Sequence, residues 1–181
     1  MIAAVPSSAI SAEQEGVLPT FAETVETHKA MVYSILWHFL RDRSLAEELA
    51  QEVFLELYQN WKSVKSPRHL VFWLRRVTTH RAIDLVRKRK IRPEMSLEES
   101  GEPTALEQLH DSFLASYLGR MVASLPEKQR MLVVLRYQEE MELEEIARVL
   151  GMNVSTVKTQ IGRALELLRA KTTHRLKPRE G

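Results

Sequence analysis

The sequence contains no cysteine. That absence excludes disulfides, thiolate metal sites and a thiol redox switch within the chain, and it fits a reducing compartment. No apolar run is long enough to span a bilayer, so membrane insertion is not expected. The opening stretch MIAAVPSSAISAEQEGVLPT lacks both the basic start and the long apolar centre of a secretory signal, and residues 1–20 read as a mobile arm. Strand signals are scarce, and no internal repeat or low-complexity tract stands out. Neither sign of charge dominates: the formal net charge is +2, with 28% charged and 44% hydrophobic residues, the balance of a globular chain. A length of 181 residues leaves room for one medium domain or two small ones.

The small net charge conceals a segregation. Arg68 to Arg92 holds nine Lys/Arg and a single acid, Asp84; Glu94 to Asp111 holds six acids and no Lys/Arg; Met152 to Arg179 holds seven Lys/Arg and one acid, Glu166. Two basic blocks thus flank an acidic one. Basic blocks on folded helices suit a polyanion, although charge alone does not separate that reading from solvated helix faces.

Apolar periodicity predicts an all-α fold of two small helical domains. Val32, Ile35, Leu36, Phe39 and Leu40 recur at helical spacing, as do Leu45, Leu49, Val53, Phe54, Leu57 and Trp61. Ser44 and Glu47 have capping-box spacing for the second of these helices. Ser66 and Pro67 predict the start of a third, lined by Leu70, Trp73, Leu74 and Val77 and running to about Lys90 before Pro93. The first domain is therefore expected over 21–92. Residues 93–118 have the composition of an acidic flexible linker, with a short helix capped by Thr104 and Glu107. The second domain is expected over 119–175, entered through a capping box at Ser124 and Glu127, with a basic tail at 176–181.

The stretch EEIARVLGMNVSTVKTQIGRALELLR has the pattern of a helix-turn-helix. Ile146, Ala147 and Leu150 give its first helix an apolar face, Gly151 supplies the turn, and Asn153 precedes the second helix as its cap. Val157, Ile161, Ala164, Leu165 and Leu168 form the buried stripe of that helix. Ser155, Thr156, Lys158, Thr159, Gly162 and Arg163 remain outside. This set suits a major groove, with hydroxyls for phosphates near the helix N-terminus and Lys158 and Arg163 for guanine edges.

Residues 125–169, LPEKQRMLVVLRYQEEMELEEIARVLGMNVSTVKTQIGRALELLR, resemble the promoter-reading fourth region of bacterial sigma factors of the extracytoplasmic-function group. SLAEELAQEVFLELYQNW resembles the group's core-polymerase-binding helix, and FWLRRVTTHRAIDLVRKRK the helix that opens the minus-ten element. Two such motifs in the family's order, with an acidic linker between them, are more specific than either alone. The resemblance implies a cytoplasmic transcription initiation factor whose partners are core RNA polymerase and promoter DNA, duplex at minus-thirty-five and single-stranded at minus-ten. It admits an anti-sigma factor as a further partner. It implies polymerase contact by Glu48, Gln51 and Glu52, strand capture by Trp73, Arg76, His80, Asp84, Arg87 and Lys88, and minus-thirty-five reading by Ser155, Thr156, Lys158, Thr159 and Arg163. Three positions depart from the family's habit: Glu142 stands where many members carry a Ser or Thr cap, Gln160 where the residue is often basic, and His80 where many carry Asn.

A linker over 93–118 would reach ~30 Å as a coil, at ~5–6 Å × √n, and ~90 Å extended at ~3.4 Å per residue. At ~3.4 Å per base pair this bridges about nine to twenty-six base pairs, enough to join two promoter elements. A stand-alone helix-turn-helix regulator is the alternative, but it leaves the first domain without a task. Glu107 to His110, EQLH, has the carboxylate–histidine spacing of di-metal bundles, which need a second such pair that the chain lacks. No catalytic residue, metal or cofactor is expected, and Trp37, Trp61 and Trp73 read most simply as core aromatics.

Overall fold

The computed structural model describes residues 18–91 and 111–176. Its elements are α1 (Phe21–Leu40), α2 (Arg43–Gln59), a 3-10 turn (Trp61–Ser63), α3 (Pro67–Ile91), α4 (Asp111–Ala123), α5 (Glu127–Val133) running into a π turn (Val134–Gln138), α6 (Leu143–Leu150) and α7 (Val154–Leu176). Among the described residues there is no strand. The expected short helix at Thr104–Glu107, the EQLH motif and Pro93 lie outside the described residues. α4 begins at Asp111 and runs to Ala123, so it crosses the junction expected near residue 118.

Local chemistry sets the helix ends. Thr20 and Glu23 cap α1 reciprocally: the Glu23 amide donates to Thr20 Oγ1 at 3.3 Å, and the Thr20 amide donates to the Glu23 carboxylate at 2.8 Å. Arg41 then turns the chain in the left-handed region, with φ 58°. Ser44 does not cap α2, contrary to its spacing with Glu47. The helix starts two residues earlier because Asp42 accepts from the Leu45 amide at 3.0 Å, and Glu47 instead pairs with Arg43 at 2.9 Å. Ser66 caps α3 as its sequence predicts, accepting from the His69 amide at 3.1 Å. Ser124 and Glu127 form no capping box: Ser124 Oγ donates back to the Met121 carbonyl at 2.6 Å, closing α4, and Glu127 reaches across to Lys90 at 2.7 Å.

α1, α2 and α3 pack around Ile35, Leu36, Phe39, Leu57, Leu70 and Leu74, all essentially inaccessible to water. Each such side chain stabilises the fold by roughly 1.5–3 kcal/mol through burial. The three tryptophans are partly buried against this cluster. The cluster does not stop at α3. Met131, Leu132, Leu135, Met141 and Ile146 join it, so the two helical units share one continuous core in this conformation. A smaller satellite of Leu125, Val133 and Ala164 holds α5 against α7.

Candidate nucleic-acid and polymerase interfaces

The helix-turn-helix is built on backbone geometry that its residues dictate. Gly151 ends α6 at φ 65°, a left-handed position that costs glycine nothing sterically, and the Met152 amide folds back to the Ala147 carbonyl at 2.8 Å. Asn153 directly precedes α7, and its carbonyl accepts from the Val157 amide at 3.0 Å. Val157, Ile161 and Ala164 are buried, while Leu165 and Leu168 are half-buried. In α6 the buried set is Ile146, Ala147 and Val149, with Leu150 only half-buried. Val149 lies outside a stripe drawn for one partner helix. It is buried all the same, and α6 packs against α3 as well as α7.

Ser155, Thr156, Lys158, Thr159, Gly162 and Arg163 all lie exposed along α7. The Thr159 hydroxyl donates to the Ser155 carbonyl at 2.9 Å, which leaves its methyl and its oxygen lone pair facing out. Gln160 is turned inward instead, accepting from Gln129 Nε2 at 3.1 Å. The side chain that departs from the family's basic habit thus links α7 to α5 and is withdrawn from phosphate. Glu142 makes no capping bond to the α6 backbone; it pairs with Arg136 at 3.2 Å.

On α3, the intervals from Trp73 to Arg76, His80, Asp84 and Arg87 place these residues on one helical face. Arg76, Asp84, Arg87 and Lys88 are exposed, and Trp73 and His80 are half-buried. His80 Nδ1 lies 2.7 Å from the Arg76 carbonyl, so Nδ1 carries a proton and donates, and Nε2 is the ring nitrogen left for another partner. Asp84 pairs with Arg87 at 3.6 Å. Arg76 does not point only to solvent: its guanidinium donates to the Val149 and Arg148 carbonyls at the end of α6, at 3.3 and 3.4 Å. Arg81 lies off the face and bridges to α2, meeting Glu56 at 2.5 Å and Glu52 at 3.7 Å.

Glu48, Gln51 and Glu52 are exposed on α2. Glu52 is therefore tied to the basic helix, whereas Gln51 borders an open apolar groove of about 820 Å³ between α1 and α2. Val25, Tyr33, Phe54, Leu55 and Tyr58 line that groove, with Leu55 58% and Tyr58 64% exposed. Sequence reasoning passed over the groove. Its signal was available in Leu55 and Tyr58, large apolar residues out of register with the buried stripe of Leu49, Val53 and Leu57.

His28 and His38 are half-buried on α1, and desolvation holds both below the ordinary histidine value; Arg75 adds to this at His28. Among the described residues no three His, Asp or Glu side chains are grouped to hold a metal ion, and no helix is long and apolar enough to cross a membrane.

Residues 24–91 match the family described as Sigma-70 region 2, and residues 115–168 match Sigma-70, region 4. The chain is 32% identical over 169 residues to the ECF RNA polymerase sigma factor SigW of Bacillus subtilis, covering 86% of this chain and 90% of that protein. It is 33% identical over 156 residues to the RNA polymerase sigma-E factor of Streptomyces coelicolor, covering 85% and 86%. Among solved structures, the sigma factor RpoE of Bartonella quintana, crystallised with the anti-sigma factor NepR, superimposes with a TM-score of 0.67 over 83% of this chain and 94% of that one, at 17% identity. CnrH, solved with the cytosolic domain of CnrY, gives 0.65 over 85% and 88%, at 20% identity. At these identities the structures establish a shared fold.

Proposed function

The chain belongs to the extracytoplasmic-function group of sigma-70 factors, and from that membership we infer how its helices divide the work of starting transcription. The protein binds core RNA polymerase and promoter DNA and directs transcription initiation in the cytoplasm. The observation that carries this reading is the joint presence of regions 2 and 4, in order, on one chain. A stand-alone helix-turn-helix regulator would have no use for residues 24–91.

In the proposed division, residues 21–92 form the unit that engages polymerase and the minus-ten element, and residues 119–175 form the duplex-reading unit. α7 enters the major groove at the minus-thirty-five element. Lys158, Thr159 and Arg163 meet base edges there, while Ser155 and Thr156 in the first turn meet phosphate, where unpaired amides and the helix dipole favour an anion. α3 captures the non-template strand. Extruding a base from a duplex costs a few kcal/mol, which contacts to the opened strand must offset. Arg76, Arg87 and Lys88 supply charge, His80 Nε2 a hydrogen-bonding edge, Trp73 a stacking surface, and Asp84 holds Arg87 in place. Glu48, Gln51 and Glu52 meet a basic surface of polymerase. An anti-sigma factor belongs among the proposed partners, since the similar Bartonella protein was crystallised with one.

The test is run-off transcription on genomic fragments with purified protein, with and without core polymerase. The proposal requires specific transcripts that depend on both components, and co-purification of the two. Specific, tight duplex binding by the protein alone, with no effect on polymerase, would instead establish the stand-alone regulator.

A further inference from the structure

Arg81 stands next to His80 on α3 but reaches away from the strand-capturing face, toward α2. We propose that the bridge from Arg81 to Glu56 is a positioning tie. It fixes the rotation of α3 on α2, so that the face carrying His80 is aimed at the opened strand once α2 is seated on polymerase. Arg81 and Glu56 thereby act on strand opening through the helices they join, without touching DNA. The inference rests on the roles of α2 and α3 given above.

The geometry singles out this pair. Arg81 Nε and Nη2 both donate to Glu56 Oε2, at 2.9 and 2.5 Å, and Nη1 lies 3.7 Å from Glu52 Oε2. Two bonds from a planar guanidinium fix direction as well as distance, which a single ammonium contact does not. Glu56 is the more sheltered carboxylate, 28% exposed against 50% for Glu52. Glu56 thus anchors the tie, and Glu52 keeps an open edge for a basic surface of polymerase. The two carboxylates lie one turn apart on α2, where like charges repel, and the guanidinium they share offsets that repulsion.

Among the described residues no other side-chain hydrogen bond or ion pair joins α2 to α3. Beneath the bridge, Leu57 of α2 and Leu70 and Leu74 of α3 belong to one apolar cluster. Apolar attraction is non-directional, so a directional tie decides between nearby rotations of the helix. The His80 ring bonds within α3, to the Arg76 carbonyl at 2.7 Å, and therefore turns with it. The anchor is one residue from the ring that it aims. Partly exposed ion pairs contribute little to stability, so loss of the tie leaves the fold standing and turns the face.

The test uses the full chain with core polymerase. Open complexes are followed by permanganate footprinting on a genomic fragment that the wild type transcribes, with each variant added to saturate polymerase. Arg81→Glu and Glu56→Arg each break the tie, and each should slow opening about tenfold, inside the ~10²-fold that misplaced geometry can cost. Upstream duplex protection should match wild type. A pair that only held the fold would instead lower melting and duplex protection along with opening. The exchange Arg81→Glu/Glu56→Arg restores the pair, with Glu52 still beside it, and should return opening to near the wild-type rate. An exchanged pair as slow as Arg81→Glu alone would show that Arg81 meets the strand itself and would overturn the tie. So would single variants that open at the wild-type rate, or that lose duplex protection in step with opening. Where a reversal does not fold, Arg81→Gln and Glu56→Gln remove the charges alone. Both should slow opening, and the double variant should be no slower than either, since one interaction cannot be lost twice; additive losses would overturn the tie. Wild-type transcription separates the two inferences: its absence refutes the proposed function and the tie with it, whereas a failed exchange beside intact wild-type transcription refutes the tie alone.

Discussion

Gly162 offers a substitution whose effects on stability and on function should have opposite signs. It lies in the interior of α7, in a helix of 23 residues, where glycine is unfavourable by about 0.8–1 kcal/mol relative to alanine because of the backbone freedom lost on folding. A Cβ built there meets nothing within 4 Å, so no steric penalty offsets the gain. Gly162→Ala should therefore stabilise the protein by about 0.8–1 kcal/mol, raising the melting temperature by roughly 2–4 °C for a chain of this size. Gly162 shares the exposed face of Ser155, Lys158, Thr159 and Arg163. If that face lies in a major groove, the open space above Gly162 is filled by DNA in the complex, and the added methyl group meets it. A displacement costing ~1.4 kcal/mol weakens binding tenfold. The assay pairs thermal melting of the free protein with promoter-duplex binding by its complex with core polymerase. A variant that melts higher and binds about tenfold more weakly fits the reasoning. A variant that melts higher and binds duplex as well as wild type would show that α7 does not present this face to DNA.

Arg163→Ala should relax preference at one or two base pairs by ~1–3 kcal/mol, while Ser155→Ala should weaken all duplexes about equally; competition binding across a promoter library separates base from phosphate contact. Glu48→Lys should reduce co-purification with core polymerase by about tenfold, ~1.4 kcal/mol, without altering the melt. The same reversal at Glu52 should also lower stability, since Glu52 neighbours Arg81 at 3.7 Å. His80→Asn should change base preference in the minus-ten element, read by permanganate footprinting of open complexes on promoters varied only there; identical footprints for both proteins would remove His80 from strand capture. The Glu139 carboxyl is raised above the ordinary 4.5 by burial, so the folded state holds its proton longer than the unfolded chain does. Its contribution to stability therefore falls as pH rises from 4.5 through the raised value, and denaturant titrations should show Glu139→Gln gaining on wild type across that window.

The order of helices and the outward face of α7 were legible in the amino-acid sequence because both are set by local rules. Apolar side chains at helical spacing choose which side of a helix leaves water, whatever lies opposite. Gly151 and Ser66 do their work within a few residues of themselves, so the turn of the helix-turn-helix and the start of α3 could be placed from the chain alone. Asp42 in place of Ser44 shows the edge of that reach: two residues able to cap stand two positions apart, and in the fold it is Asp42 that accepts from the Leu45 amide. What lay beyond local rules was the identity of partners across the fold. Periodicity could not say that Arg76 would reach the Val149 carbonyl, that Gln160 would turn toward Gln129, that Arg81 would join Glu52 and Glu56, or that Ser34 would meet Glu139. Each of these pairs is brought together by packing between helices far apart in sequence, and polar side chains bond to whatever that packing sets within about 3 Å of them. The chemistry of the exposed faces of α3 and α7 was thus written in the sequence, while which of their residues are engaged inside the protein was decided by the tertiary structure.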